Sequence, residues 1–247
     1  MPGMPADRRP PHRDHEAGTP DGSELNDRAS IVEQVAYYRE RAPEYDQLFD
    51  AARADPAVDT GYRQVRAFLE SVEPSGRVLE LACGTGQWTP ALLTPAVTEL
   101  VAVDATPEML AIHAERVRDV RVRRVQADLF RWEPDGRFDL VVIAFWLSHV
   151  PLGRFDAFWG MVGRALAPGG VVAIADSGPG EHAQEDWLRR SGDTPLVRRT
   201  LSTGFTHRVI KVLHEPSELA SRLAALGWDA EISLLGGVFL AGTARRA

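Results

Sequence analysis

The sequence predicts an α/β protein built on a doubly wound, largely parallel sheet. Three observations carry that expectation. Apolar runs of strand length alternate with helix-period segments from residue 77 to residue 176. One run, Leu140-Val141-Val142-Ile143-Ala144, is apolar throughout, as befits a strand covered by helices on both faces. The first run opens directly into a glycine-bearing turn and a helix start, the junction at which open α/β sheets hold ligands.

Taken in order, residues 1–29 are expected to be a disordered tail, because Pro, Gly, Asp and Arg dominate and apolar periodicity is absent. His12 and His15 belong to it as solvated residues. Residues 30–247 form one domain. Ile31, Val35, Tyr38, Ala42 and Tyr45 recur at helix spacing, and Pro43 is expected to break that helix. A second helix is expected over 61–72. Strands follow at 77–82, 100–104, 120–126, 138–144 and 170–176, with helices between them at 88–93, 107–117 and 154–166. The rhythm is then interrupted by an insert at about 180–215, which holds a polar helix-like piece and a hairpin. Its strands, 196–201 and 205–214, flank Ser202-Thr203-Gly204. A helix from Pro216 to Leu226 and strands at 230–235 and 238–243 close the domain, which brings the main sheet to seven strands.

Composition narrows the class. The 247 residues are 44% hydrophobic and 26% charged, ordinary for a globular protein. No run approaches the ~20 apolar residues of a membrane helix, and the N-terminus lacks a signal-peptide core, so a cytoplasmic location without membrane association is expected. A net charge of −7 argues against nucleic acid as a partner. One cysteine leaves no internal disulfide or multi-Cys metal site, and no metal is expected from the His spacings.

The chemistry is concentrated in 78–151. Glu80-Leu81-Ala82-Cys83-Gly84-Thr85-Gly86 places a turn where backbone passes close to a ligand. Asp104 ends the next strand about 20 residues on, where an acidic side chain can accept ribose hydroxyls. Ala127-Asp128-Leu129 and Leu166-Ala167-Pro168-Gly169-Gly170 follow at the next strand borders. A dinucleotide fold would want a third glycine at position 89, which is Thr, and Gln87 and Trp88 would crowd a pyrophosphate.

In this order and spacing the motifs resemble those of class I S-adenosylmethionine (SAM)-dependent methyltransferases, over roughly residues 31–247. The resemblance implies a Rossmann-like fold with a helical N-terminal cap and an inserted hairpin cap. It also implies SAM as cofactor and S-adenosylhomocysteine (SAH) as product. By resemblance, Glu80, Ala82, Gly84 and Gly86 surround the methionine part and Asp104 holds the ribose. Met109 packs on adenine, Asp128 and Leu129 frame its edge, and Ala144 offers its carbonyl to the methionine ammonium. Tyr38, Trp88 and Ala105 complete the implied cofactor set. Cys83 reads as a packing residue.

On the acceptor side the chain is similar to small-molecule methyltransferases that include a phosphonate O-methyltransferase of dehydrophos biosynthesis. The shared segments are Tyr37-Tyr38-Arg39-x-Arg41-Ala42-x-Glu44-Tyr45-Asp46, Trp146-Leu147-x-His149-Val150-Pro151, Phe155-x-Ala157-Phe158-Trp159, Val197-Arg198-Arg199-Thr200-Leu201 and Arg208-Val209-Ile210-Lys211-Val212. The implied acceptor is a small anion, a phosphonate or carboxylate, methylated on oxygen.

Physical reasoning adds candidates. Alternation puts Lys211, the only lysine, on an apolar strand face with Val209 and Leu213, where an ammonium needs an anion or a route to water. Arg198, Arg199 and Arg208 share the hairpin and with Lys211 could cradle an anion, with Trp146 beside them; solvated edge charges are the alternative. His149 follows the fourth strand and is a candidate general base, or simply a structural hydrogen-bonding residue. Tyr38 and Tyr45, seven residues apart, either close over the site or pack in the core. A neutral or aromatic acceptor, a nucleic-acid methyltransferase and a SAM-binding pseudoenzyme remain as rivals. Position 144 onward lacks the Asn/Asp-Pro-Pro-aromatic signature of base-amine methylation. The oligomeric state stays open, a homodimer included.

Overall fold

A computed structural model describes residues 22–188 and 194–247. Its main sheet has seven strands in the order β3-β2-β1-β4-β5-β9-β8. These are β1 (Gly76–Leu81), β2 (Val97–Asp104), β3 (Val122–Gln126), β4 (Phe138–Ala144), β5 (Leu166–Ser177), β8 (Trp228–Leu235) and β9 (Phe239–Arg246). The first five run parallel, and β9 is antiparallel to both β5 and β8. The chain crosses over at β1–β4, the switch point where a crevice opens beyond the carboxyl ends of the strands.

Each central strand is apolar on both sides because each side has its own core. Leu79, Leu81, Val141 and Ile143 pack with Phe155, Phe158 and Trp159 of α5 (Phe155–Ala165) and with Leu219 and Leu223 of α6 (Pro216–Ala225). Val78, Leu140 and Val142 pack on the other face with Val65 and Leu69 of α2 (Pro56–Ser71) and with Leu92 of the one-turn α3 (Thr89–Leu92). On the crevice side, α4 (Pro107–Arg116) buries Met109 and His113. The seven-strand count and the doubly wound class are as the sequence predicts, with strand ends shifted by a few residues.

Two expectations fail at the N-terminus. Helix α1 spans Gly22–Ala52, so residues 22–29 are helical rather than tail, and the helix continues through Pro43 instead of breaking there. A proline inside a helix costs about 3 kcal/mol, and tertiary contacts on both sides of Pro43 offset it. Before it, Tyr37 joins a small core with Val197, Leu201 and Val209; after it, Asp46 bonds to the glycine turn. His12 and His15 lie outside the described residues.

The insert forms a separate two-stranded sheet, β6 (Leu196–Thr200) and β7 (Thr206–Ile210), preceded by a short 3-10 helix, Pro179–Gln184. Helix α1 lies along this hairpin and satisfies backbone donors that would otherwise be unpaired. Glu33 accepts from the Arg208 N–H, Gln34 from the Ile210 N–H and Glu44 from the Ser202 N–H. Helix and hairpin thus form one cap over the strand ends. Among the described residues, no helix is long and apolar enough to cross a membrane.

Candidate active site

Beneath that cap is a cavity of about 370 Å³. One stripe of α1, Ile31, Gln34, Val35, Tyr38, Arg41 and Tyr45, forms its roof, so the periodicity that predicts a helix marks the cavity-facing side. The floor is the carboxyl ends of β1, β2, β4 and β5.

At the end of β1, three of five residues have left-handed backbone: Ala82 (φ 52°), Gly84 (φ 53°) and Gly86 (φ 80°). Glycine takes this geometry without penalty; Ala82 takes it at a cost on the order of 1 kcal/mol. Three non-glycine residues have left-handed backbone among the described residues. Ala82 and Phe145 (φ 55°, where β4 meets the cavity) line the cavity, and Glu73 (φ 51°) follows α2 away from it. Strained backbone of this kind collects at ligand sites. The helix after the turn, α3, is only four residues long, which leaves little macrodipole for a pyrophosphate.

Most residues expected to hold the cofactor line this cavity: Tyr38, Ala82, Gly84, Trp88, Asp104, Ala105, Met109, Asp128, Leu129 and Ala144. Asp104 is oriented by the Gly84 N–H at 2.9 Å on one oxygen and by the Thr106 N–H and hydroxyl, both 2.9 Å, on the other. Burial raises its pKa. A carboxylate has about four lone-pair directions, so capacity for ribose hydroxyls remains. Trp88 stacks on Phe145 with 5.4 Å between ring centroids, making one aromatic wall.

Two of the expected cofactor residues lie behind the turn instead. Glu80 accepts from the Thr89 hydroxyl at 2.7 Å, and burial pushes its pKa up to about 8. Since that hydroxyl proton goes to Glu80, His113 Nε2 donates to Thr89 Oγ1 (3.0 Å), and Arg124 Nε donates to His113 Nδ1 (2.9 Å). Gly86 faces this chain: a Cβ there would stand 2.9 Å from the His113 ring. Both residues shape the turn from the protein side rather than line the cavity, because strand alternation sends Glu80 away from it.

Asp46 is the residue that sequence reasoning missed; it appears there only within a shared segment. It accepts from Thr85 Oγ1 (2.8 Å) and Gln87 Nε2 (2.7 Å) and pairs with Arg116 (2.6 Å), tying α1 to the glycine turn and α4. Burial opposes its ionisation, but the hydrogen bonds from Arg116, Thr85 and Gln87 prevail and its pKa falls below the ordinary value. No local pattern marks such a residue, since its partners lie 39 to 70 positions away.

At the acceptor end, Lys211, Arg199, Trp146, Tyr45 and His149 line the cavity, whereas Arg198 and Arg208 do not. Arg198 and Arg208 are register partners on the outer face of the hairpin, paired with Asp186 (3.6 Å) and Glu33 (2.7 Å). Alternation therefore splits the expected four-residue cradle, leaving Arg199 and Lys211 inside. Lys211 is 5% exposed and lies one residue past β7; its ammonium donates to Ser177 Oγ (2.7 Å) and pairs with Glu181 (2.9 Å). Arg199 donates to Glu185 at 2.6 Å.

His149 is held at both ring nitrogens. Its Nδ1 lies 2.7 Å from the Ile210 carbonyl, which only accepts, so Nδ1 carries the proton. Nε2 is then the acceptor, and the Tyr38 hydroxyl donates to it at 2.8 Å. Burial, reinforced by the Lys211 charge, lowers the imidazole pKa to about 3. Both ring nitrogens of His149 are thus engaged in this structure, as in the structural one of the two roles that its sequence position allows. Among the described residues no His, Cys, Asp and Glu cluster suits a metal ion.

The chain is similar to known methyltransferases in sequence and in fold. A methyltransferase-domain family profile matches residues 78–170. The structure of DhpI bound to SAH superposes with a TM-score of 0.73 at 38% identity, covering 89% of this chain and 98% of that one. The DhpI–SAM–HEP complex gives the same score at 39% identity, covering 92% and 100%. A demethylmenaquinone methyltransferase of Thermus thermophilus is 33% identical over 210 residues, 80% of this chain and 94% of that protein. The quinone-biosynthesis C-methyltransferase UbiE of Ectopseudomonas mendocina is 38% identical over 120 residues, and there the chain spans about 46% of its relative. With DhpI and the Thermus thermophilus methyltransferase matched over 94% or more of their length, the chain belongs to the class I SAM-dependent methyltransferases and is an enzyme that uses SAM as its cofactor.

Proposed function

We propose that the enzyme methylates an oxygen of a small anionic molecule, a phosphonate or a carboxylate, of the kind made in secondary metabolism. The observation that supports this is a set of buried donors at the acceptor end of the cavity. Lys211 has three N–H groups, of which Ser177 and Glu181 engage two. Arg41 Nε and Trp146 Nε1 are buried without hydrogen-bond partners. Buried donors left unpaired cost about 1–3 kcal/mol each, a cost that acceptor oxygens would remove.

Tyr38, Ala82, Gly84, Trp88, Asp104, Ala105, Met109, Asp128, Leu129 and Ala144 would hold the cofactor. When bound, SAM supplies an electrophilic methyl on a sulfonium, whose C–S electron pair returns to sulfur as the acceptor oxygen forms the new C–O bond. The protein's work is then alignment and exclusion of water by the cap formed from α1 and the hairpin. An ionised phosphonate or carboxylate oxygen brings its own lone pair, which suits a site whose histidine has both ring nitrogens engaged. Lys211 and Arg41 would fix the anion, Tyr45 would back Arg41 at 4.9 Å, and Trp146 would orient the remaining oxygen.

The test is incubation of the protein with labelled SAM and a panel of small phosphonates and carboxylates. Methyl esters are expected, with Lys211→Met raising KM for the acid at least tenfold. Absence of transfer to any small acid would overturn the proposal. A flat aromatic acceptor is the second reading, supported by the Trp88–Phe145 stack on the cavity wall and by the quinone-modifying relatives; transfer to a naphthol or quinol alone would favour it.

A further inference from the structure

The pole of the sheet opposite the cap carries a second cavity, of about 350 Å³. Topology builds it. Strands β4 and β5 run parallel and begin at this pole, whereas β9 runs antiparallel to β5 and ends there. Arg137, one residue before β4, therefore shares one space with the turn 166–170 that opens β5 and with Arg245 and Arg246 at the end of β9.

Each of these three guanidiniums is held by a neutral group. Nη1 of Arg137 donates to the Leu166 carbonyl (2.9 Å), and Nη1 of Arg245 to the Gly169 carbonyl (3.3 Å). Nη1 of Arg246 donates to the Leu226 carbonyl (3.3 Å), and its guanidinium lies 4.3 Å over the Trp228 ring. A carbonyl positions a cation without cancelling its charge, and the remaining N–H groups of each fork stay free for a ligand. Among the described residues none of the three forms an ion pair, although Asp229 is the register partner of Arg245 on β8. Elsewhere the chain neutralises its arginines: Arg77 and Arg123 share Glu99, Arg164 takes Glu133 and Arg222 takes Asp156. In a protein of net charge −7, three exposed guanidiniums left without a carboxylate around one cavity reverse the local field.

We propose that this cavity is a second anion site, separate from the cavity under the cap, and that it takes the phosphate or diphosphate group of a small molecule. A carboxylate offers two oxygens, which a single guanidinium fork saturates. Three forks around one cavity suit the several oxygens of a phosphate. The site is independent of which acceptor is methylated.

The experiment titrates the full chain with pyrophosphate by calorimetry at low ionic strength, with saturating SAH in the cap cavity. Inorganic phosphate, ADP and acetate are compared. Pyrophosphate is expected to bind at least tenfold more tightly than acetate, and its rank against ADP separates a free anion from a nucleotide as the source. Arg137→Gln and Arg245→Gln are each expected to weaken pyrophosphate about tenfold, the loss of one charge-assisted contact, with SAH affinity unchanged. On the unaltered protein, pyrophosphate should protect Arg137 and Arg245 from modification by phenylglyoxal, read by mass spectrometry, which locates the site even if a variant does not fold. The proposal is overturned by no binding at millimolar pyrophosphate, by acetate binding equally well, by undiminished affinity in both variants, or by arginines left unprotected.

Discussion

The Tyr38 hydroxyl donates to Nε2 of His149 at 2.8 Å, joining the cap helix to the loop after β4 across 111 residues of sequence. Because His149 Nδ1–H is spent on the Ile210 carbonyl, this bond has one direction, and both ring nitrogens are satisfied. Tyr38→Phe leaves a buried imidazole nitrogen unpaired and is expected to cost about 1–2 kcal/mol of stability. His149→Asn should be similarly costly, and the double variant should lose less than the sum of the two. Chemical denaturation of the three variants checks this; strict additivity would mean the pair does not interact.

Asp46 anchors α1 over the glycine turn by accepting from Thr85, Gln87 and Arg116. Asp46→Ala should weaken SAH binding about tenfold, measured by calorimetry, since the turn loses its outer support. The folded pKa of Asp46 lies below its unfolded value, so its contribution to stability is present above the unfolded pKa of 3.8 and is lost as pH falls through the folded one. Unchanged SAH affinity in the variant would assign the cluster to surface decoration.

The two glycines of the turn should respond unequally to alanine. At Gly84 a Cβ meets nothing within 4 Å, so Gly84→Ala carries only the left-handed penalty of about 1–2 kcal/mol. At Gly86 the same penalty is joined by a collision with the His113 ring, which Thr89 and Arg124 hold in place. Gly86→Ala should therefore lose about 1–3 kcal/mol more, read from denaturation midpoints. Equal losses would show that His113 moves aside freely.

Buried titratable groups give stability opposing slopes in pH. Burial lowers His113 and His214 to about 4 and His149 to about 3, so the unfolded chain takes up protons that the native one refuses as pH falls below 6.5. Stability is lost in that direction. Glu80 runs the other way: raised to about 8, it keeps a proton that the unfolded chain releases above 4.5, and its contribution is lost as pH rises from 4.5 to 8. Thermal melts across pH should show Glu80→Gln removing about one proton's worth of decline between pH 4.5 and 8. His214→Phe should flatten the acid side.

By itself the sequence determined the layers, the parallel half of the sheet and the cofactor edge. Unbroken apolar runs such as 140–144 demand burial on both faces, and left-handed turns demand small residues; both requirements are local and therefore written in neighbouring residues. Asp104 and Asp128 were legible at strand ends, Met109 and Ala144 only through the family resemblance, and all four line the cavity. Tertiary structure alone decided which charges face inward. Arg198 and Arg199 are neighbours in sequence, yet one pairs with Asp186 on the outer surface and the other with Glu185 in the cavity wall. It also decided that α1 passes through Pro43, that Glu80 turns away from the cavity, and that His149 has its lone pair occupied by Tyr38. Each of these depends on a partner brought close by folding, whose hydrogen bond or collision is worth more than the local preference it overrides.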